Sequence, residues 1–245
     1  MRRVVPVFNR ELAQYFNTPL GFIYIDVFLL LTGFFFFELF KFFISEQASL
    51  RNLFQLLPWV YLFFVPAISM RLLAEDKKIG TVEVLMTLPL RDWEVVLAKF
   101  LAAFIFLAVA LLLTLPLVVI VAQSAATGIK LDYGPIIGGY LSAVLMGGAF
   151  LAIGIFFSSM TDNQIVAFIL SIVAMAIFFL IGLPDIAKFF PHVLQRFILN
   201  ISLVSHFYSV ERGVIDTRDM LYYASVIFIF LFATIRSVES RKWKA

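Results

Sequence analysis

Ten charged side chains fall between Arg71 and Lys99, in a chain where charge is otherwise scarce. Glu75 and Asp76 stand directly before Lys77 and Lys78, and Gly80, Thr81, Glu83, Leu85 and Pro89 follow. Apolar Val82, Val84, Leu85 and Met86 are set among these charges. That mixture suits non-covalent docking, in which a short helix presents apolar anchors and a charged rim to a partner's groove. It does not suit covalent chemistry. The chain has no cysteine, which excludes thiol catalysis, disulfides and cysteine-based metal sites. Its two histidines, His192 and His206, are too few for a histidine-rich metal site. An intramembrane enzyme needs a nucleophile–base pair, paired aspartates or a metal motif, and Asp26 alone within the apolar runs does not supply one.

The elements that would hold this island are apolar runs. The chain is 245 residues, 62% hydrophobic and 14% charged, with mean hydropathy +1.01 and 30 phenylalanines. A soluble domain of that length cannot hide so much apolar surface, so the class is an all-α integral membrane protein. A spanning helix takes about 20 mostly apolar residues. Six such spans are expected, at 20–42, 54–72, 98–123, 136–157, 164–183 and 218–236, in one membrane domain over residues 1–245. Pro58, Pro66 and Pro116 predict kinks in the second and third spans. The first run lacks an A-x-A-like site, so it reads as a span and not as a cleavable leader.

Basic residues set the orientation. With both ends inside, 12 of the 19 Lys and Arg residues lie on the inner side and 7 on the outer, and the rule that inner loops are positive then places both termini and the island in the cytoplasm. Before the first span, Val4, Val5, Phe8, Leu12, Tyr15 and Phe16 share one helical face, with Arg10, Glu11 and Gln14 elsewhere. Such a helix, over 1–19, is expected to lie along the inner membrane surface until Asn17-Thr18-Pro19 breaks it.

Inside the island (71–99), Gly80-Thr81 can start a short helix, with Thr81 as N-cap and Glu83 in its first turn. Pro89 stops it, and Asp92 is expected to cap a second helix leading through Lys99 into the third span. The plainer alternative is a solvated loop whose charges only enforce topology. On the other side, residues 184–217 form a long outer segment. The uncharged stretch from Phe197 to Val210 is too short to span, and helices that lie on or dip into the outer leaflet are expected there, ending near Gly213. Asp216, with Asp219 three residues on, is expected to cap the last span. Asn200, His206, Gly213 and Asp216 are candidates for an outer gate; a passive lid is the alternative. Gly139, Ala143 and Gly147, spaced four apart, allow close helix approach, either inside this subunit or between subunits. Asp26 is a candidate pathway residue, because ionisable groups within a span are costly and mark function.

Three strings carry a family resemblance. Glu75-Asp76-Lys77-Lys78-Ile79-Gly80-Thr81-Val82-Glu83-Val84-Leu85, then Pro89 and Lys99, resembles the coupling-helix signature of ABC exporter permeases of the type-2 branch. Arg10-Glu11-Leu12, Tyr15-Phe16 and Thr18-Pro19-Leu20-Gly21 resemble that family's approach to its first span. Arg212 to Asp219, Tyr222-Tyr223 and the tail Glu239-Ser240-Arg241-Lys242-Trp243 are similar to the permease of gliding-motility-type ABC systems.

The resemblance implies a permease subunit of a bacterial inner-membrane ABC transporter. Two permease domains, the same chain or a homologue, would face each other, and each would place a coupling helix in a cleft of a cytoplasmic ATPase dimer. The chain has no G-x-x-x-x-G-K-[ST] loop, so ATP and Mg would belong to that partner and this chain would not be the enzyme. A further membrane partner with a large external domain is implied by the gliding-type likeness; nucleic acid is not. The work delivered would be export of a substrate or force transmission across the bilayer. A scaffold that anchors an ATPase without transport is one alternative. An ion-driven secondary transporter is another, although no internal repeat supports it.

Overall fold

The computed structural model describes residues 4–39, 50–80, 91–124, 133–183, 186, 188–211 and 216–242. Every regular element among them is a helix. Helix α1 (Val4–Asn17) is separated from α2 (Pro19–Phe34) by Thr18, whose extended backbone (φ −109°, ψ 145°) turns the chain, with Pro19 opening α2. Proline fits there because the first helical position needs no N–H partner. A π-helical turn, Phe35–Leu39, prolongs α2. Then come α3 (Arg51–Ser69) and α4 (Arg71–Ile79), followed beyond the island by α5 (Asp92–Leu112) and α6 (Leu115–Ser124). The remaining helices are α7 (Tyr133–Met160), α8 (Gln164–Leu180), α9 (His192–Ile201), α10 (Leu203–Glu211) and α11 (Thr217–Lys242).

Five helical stretches are long and apolar enough to cross a membrane: Pro19–Glu38, Arg51–Ile79, Asp92–Gln123, Tyr133–Met160 and Thr217–Ser240. They match five of the six expected spans. The remaining expected span is α8, an apolar helix of 17 residues. We number the six in chain order. The protein is an all-α, multi-pass membrane protein.

Spans 2 and 4 form the centre. In each, 72% of the apolar stretch is buried, against 28% in span 1 and 11% in span 6, so the outer helices keep broad faces for lipid or protein partners. Small residues make the central contact possible. A Cβ on Gly139 would sit 2.5 Å from the Phe54 ring, and one on Gly147 would sit 2.3 Å from Leu107. The Gly139/Ala143/Gly147 repeat therefore serves packing inside this subunit, the simpler of its two readings.

Proline acts unequally. Pro58 and Pro66 stay within α3, whereas Pro116 follows a true break between α5 and α6. At that break the Thr114 hydroxyl donates to the Leu111 carbonyl (2.7 Å) and lies 2.9 Å from the Tyr140 hydroxyl. The backbone interrupted before Pro116 is thus partly satisfied by a side chain, as apolar surroundings require.

Candidate functional site

The first four residues of the expected docking cluster lie on α4, a nine-residue helix that prolongs span 2, and not in a loop. Gly80 ends this helix. Its left-handed backbone (φ 76°) lets its N–H reach the Lys77 carbonyl at 3.2 Å. Gly80 is thus the closing glycine of the helix before the expected coupling helix, which would begin at Thr81 outside the described residues. Thr81, Glu83, Leu85 and Pro89 lie outside the described residues.

A buried ion cluster roots α4 to the bundle. Lys99, the eighth residue of α5, is 2% exposed. Its Nζ lies 2.9 Å from Glu11 Oε1 and 2.7 Å from Asp76 Oδ2. Glu11 is itself 4% exposed and takes a second contact from Arg10 at 2.8 Å. One ammonium therefore joins three elements: α1, α4 and α5. Pairing at this depth is obligatory, because a lone buried charge is far more costly than a matched set.

Glu11 corrects the reading of α1. The sequence places it off the apolar face, yet Val7 and Glu11 are the buried residues of that helix, and Val5 is exposed. The helix turns this face to α5. Tyr15 stacks on Phe106 with ring centroids 4.5 Å apart, and Phe16 meets the same ring edge-on at 5.7 Å. Burial pushes the Tyr15 phenol well above its ordinary range, and the Glu11 carboxylate adds to the shift.

The rest of α4 is held in other ways. Arg71 Nε donates to Glu75 at 2.8 Å, four residues on. Lys77 donates to the Ser159 carbonyl at the end of span 4, and the Ser237 hydroxyl of span 6 lies 3.4 Å from the same oxygen. Lys78 is exposed. Asp76 is thus directed inward and the flanking Lys78 outward, although the two are nearly adjacent in sequence.

Between α3 and α4 the helix is interrupted at Met70, and Ser158 of span 4 enters the gap. Its hydroxyl accepts from the N–H groups of Leu73 (3.1 Å) and Ala74 (3.0 Å) and donates to the Met70 carbonyl (3.0 Å). A side chain inserted into the helical ladder is a recognised cause of a bend. The island's second boundary is also shifted by one residue. Arg91 stands at the cap position, and Glu94 accepts from its N–H at 2.9 Å, while Asp92 opens the helix. A cavity of about 310 Å³ lies beside the cluster, lined by Arg10, Glu11, Tyr24, Arg71, Glu75 and Lys99 among others. Among the described residues no group of three acidic or histidine side chains could hold a metal.

The sequence model of the ABC-2 family transporter protein matches residues 37–235, most of the chain, taking in Asp76 and Lys99 but not Glu11. The chain belongs to that family. No curated protein matches it. As an ABC-2 family member it is a membrane component of an ABC transporter, and the family associates with an ABC ATPase.

At the opposite end of this permease, His206 contacts one of the other expected gate residues, Asn200, together with Asp219, in a way the sequence did not specify. Its Nδ1 lies 2.6 Å from Asp219 Oδ1 and its Nε2 lies 3.1 Å from the carbonyl of Asn200. Asn200 thus contributes its backbone. The imidazole stacks on Tyr222 with centroids 4.0 Å apart. A carbonyl only accepts, so in the contact with Asn200 the Nε2 atom is the donor. Tyr222 donates to the Ile201 carbonyl, and buried Tyr223 donates to that of Leu203 at 2.7 Å. These contacts fasten α9 and α10 to the start of span 6. Asp216 caps that span as expected, accepting from the Arg218 N–H at 2.9 Å. Gly213 lies outside the described residues. Asp26 is exposed on span 1, apart from both clusters.

Proposed function

We propose that this permease transmits work from a separate cytoplasmic ATPase into its spans, and that the Lys99 cluster is where that work enters. One observation supports this above the others: a single buried ammonium joins α1, α4 and α5 at the base of the island. Force applied to the 81–90 segment reaches α4 first. From there it passes by Lys99 to α5 and α1, and by Lys77 and Ser158 to span 4. A loop serving topology alone has no need of such fastening. The charge balance supports a cytoplasmic island in a bacterial inner membrane, with both termini on that side. The output is export of a substrate or force transmission across the bilayer. The likeness to gliding-type permeases favours a complex with a second permease subunit and an external-domain partner.

The test is the ATPase rate of the purified complex. Glu83→Arg, in the expected coupling segment, and the combined Glu11→Leu, Asp76→Leu and Lys99→Met replacement, which removes the ionic anchor without leaving a buried charge unpaired, should each leave a complex that assembles yet loses most of the permease-dependent ATPase rate. Normal assembly with an unchanged rate in both variants overturns the proposal.

A further inference from the structure

The cavity beside the Lys99 cluster reaches into the membrane. One wall runs along span 1 from Thr18 through Gly21 to Tyr24, a rise of ~9 Å. At its deep end the Tyr24 hydroxyl donates to the Ala67 carbonyl of span 2 at 3.1 Å. The facing wall is α4, with Arg71 and Glu75. The cavity therefore lies where two spans leave the hydrocarbon, at the level of the lipid head groups. Its volume, about 310 Å³, suits a head group and not a whole lipid.

Six charged side chains line it, and their formal charges cancel: Arg10, Arg71 and Lys99 against Glu11, Glu75 and Asp76. Lys99 and Glu11 are buried against each other, whereas the side chains of Arg71 and Glu75 are each 31% exposed and that of Arg10 is 50% exposed. A guanidinium carries five N–H donors. Arg71 gives two to Glu75, at 2.8 and 3.4 Å, and Arg10 gives one to Glu11, so each has donors left for a phosphate. The Glu75 carboxylate has lone pairs beyond those that Arg71 takes, and these can accept from an ammonium.

We propose that this cavity holds the head group of a zwitterionic phospholipid with a primary ammonium, its phosphate at Arg10 and Arg71 and its ammonium at Glu75. A wholly basic pocket suits an anionic head. Here a carboxylate stands beside each arginine and repels a head that has no cation of its own. A quaternary ammonium has no N–H to donate and is held by aromatic cages. Tyr15 turns its ring onto Phe106, which leaves Tyr24 as the one aromatic side chain facing such a ligand among the described residues. The acyl chains have a track. Val27 and Leu31, 44% and 41% exposed, continue the helical ridge of Tyr24 toward the middle of the membrane. The site stands apart from the coupling proposal, because its test reads lipid retention and not ATPase rate.

The full chain, with its transporter partners, is purified in detergent and followed by native mass spectrometry. Phosphatidylethanolamine, phosphatidylcholine and phosphatidylglycerol with identical acyl chains are the probes. Phosphatidylethanolamine should be retained severalfold above the other two, and soluble glycerophosphoethanolamine at the same concentration should not displace it. Glu75→Gln should lower its retention severalfold, and Glu75→Lys should turn the preference to phosphatidylglycerol. Phe228→Ala, on the exposed face of span 6, should change neither. The chain lacks cysteine, so a benzophenone attached at Gln14→Cys reports the cavity wall alone, and illumination in native membranes should give a lipid adduct. Equal retention of the three lipids by the unaltered protein, its preference for phosphatidylglycerol, displacement by the soluble head, retention unchanged by Glu75→Gln, or an adduct with the ATPase in place of lipid each overturns the inference.

Discussion

At the residue scale, Lys99 is the side chain on which the site depends. Removing its charge leaves Glu11 and Asp76 facing each other in a buried space. Lys99→Met should therefore destabilise the protein by about 3–5 kcal/mol, the usual cost of breaking a buried ion set from one side. Thermal unfolding in detergent measures it. Replacing all three together, as Glu11→Leu, Asp76→Leu and Lys99→Met, should recover most of that loss, because well-packed apolar groups often substitute for buried ions without penalty. A triple variant as unstable as the single one would show that the cluster is not a closed set. His206 makes the equivalent prediction at the other end. His206→Phe keeps an aromatic ring on Tyr222 but removes both polar contacts, and should cost about 1–3 kcal/mol, the penalty for a buried group left unpaired. Amide exchange should rise most in α10.

The element scale shows what the sequence could and could not convey. Hydropathy located the spans, because twenty apolar residues in a row have few other uses. Thr18-Pro19 marked the turn after α1, and Asp216 marked the start of span 6, because capping and proline geometry act over two or three residues. The partners of charged side chains were not legible in that way. Glu11 and Lys99 are 88 positions apart in the chain, and only the packing of α1 along α5 brings them together. Lys99 did carry a signal: an ammonium among Val95, Val96, Leu97 and Leu101 needs a carboxylate, and the pattern could not say which. Ser158 gave none, since a serine within an apolar helix most often bonds back to its own turn. Here it bridges to another helix at the Met70 interruption. Ser158→Ala removes those bonds, and amide exchange at Leu73 and Ala74 should rise by an order of magnitude or more, at a cost of about 1–3 kcal/mol. Unchanged exchange at those two amides would show that the interruption does not depend on Ser158.

For the whole molecule, the two polar clusters lie at opposite ends of a bundle centred on spans 2 and 4. One end binds α1, α4 and α5 through Lys99; the other binds α9, α10 and span 6 through His206. The cytoplasmic assignment of the Lys99 end makes a direct prediction. In intact cells, a membrane-impermeant maleimide should label Phe189→Cys and spare Lys78→Cys, and in inverted vesicles the order should reverse. Both positions are exposed, at 87% for Phe189. Labelling of both from one side would contradict the topology.

If the Lys99 cluster transmits the work of the ATPase, the base of the island and the helices around it move as one body when the ATPase acts. Spin labels at Ala13→Cys on α1 and Lys78→Cys on α4, both exposed positions, read this directly in the assembled transporter. Their separation should stay the same between ATP-bound and nucleotide-free states, and should broaden and shift with nucleotide once Glu11, Asp76 and Lys99 are replaced by apolar residues. A nucleotide-dependent change in that separation in the unaltered cluster would contradict transmission through Lys99.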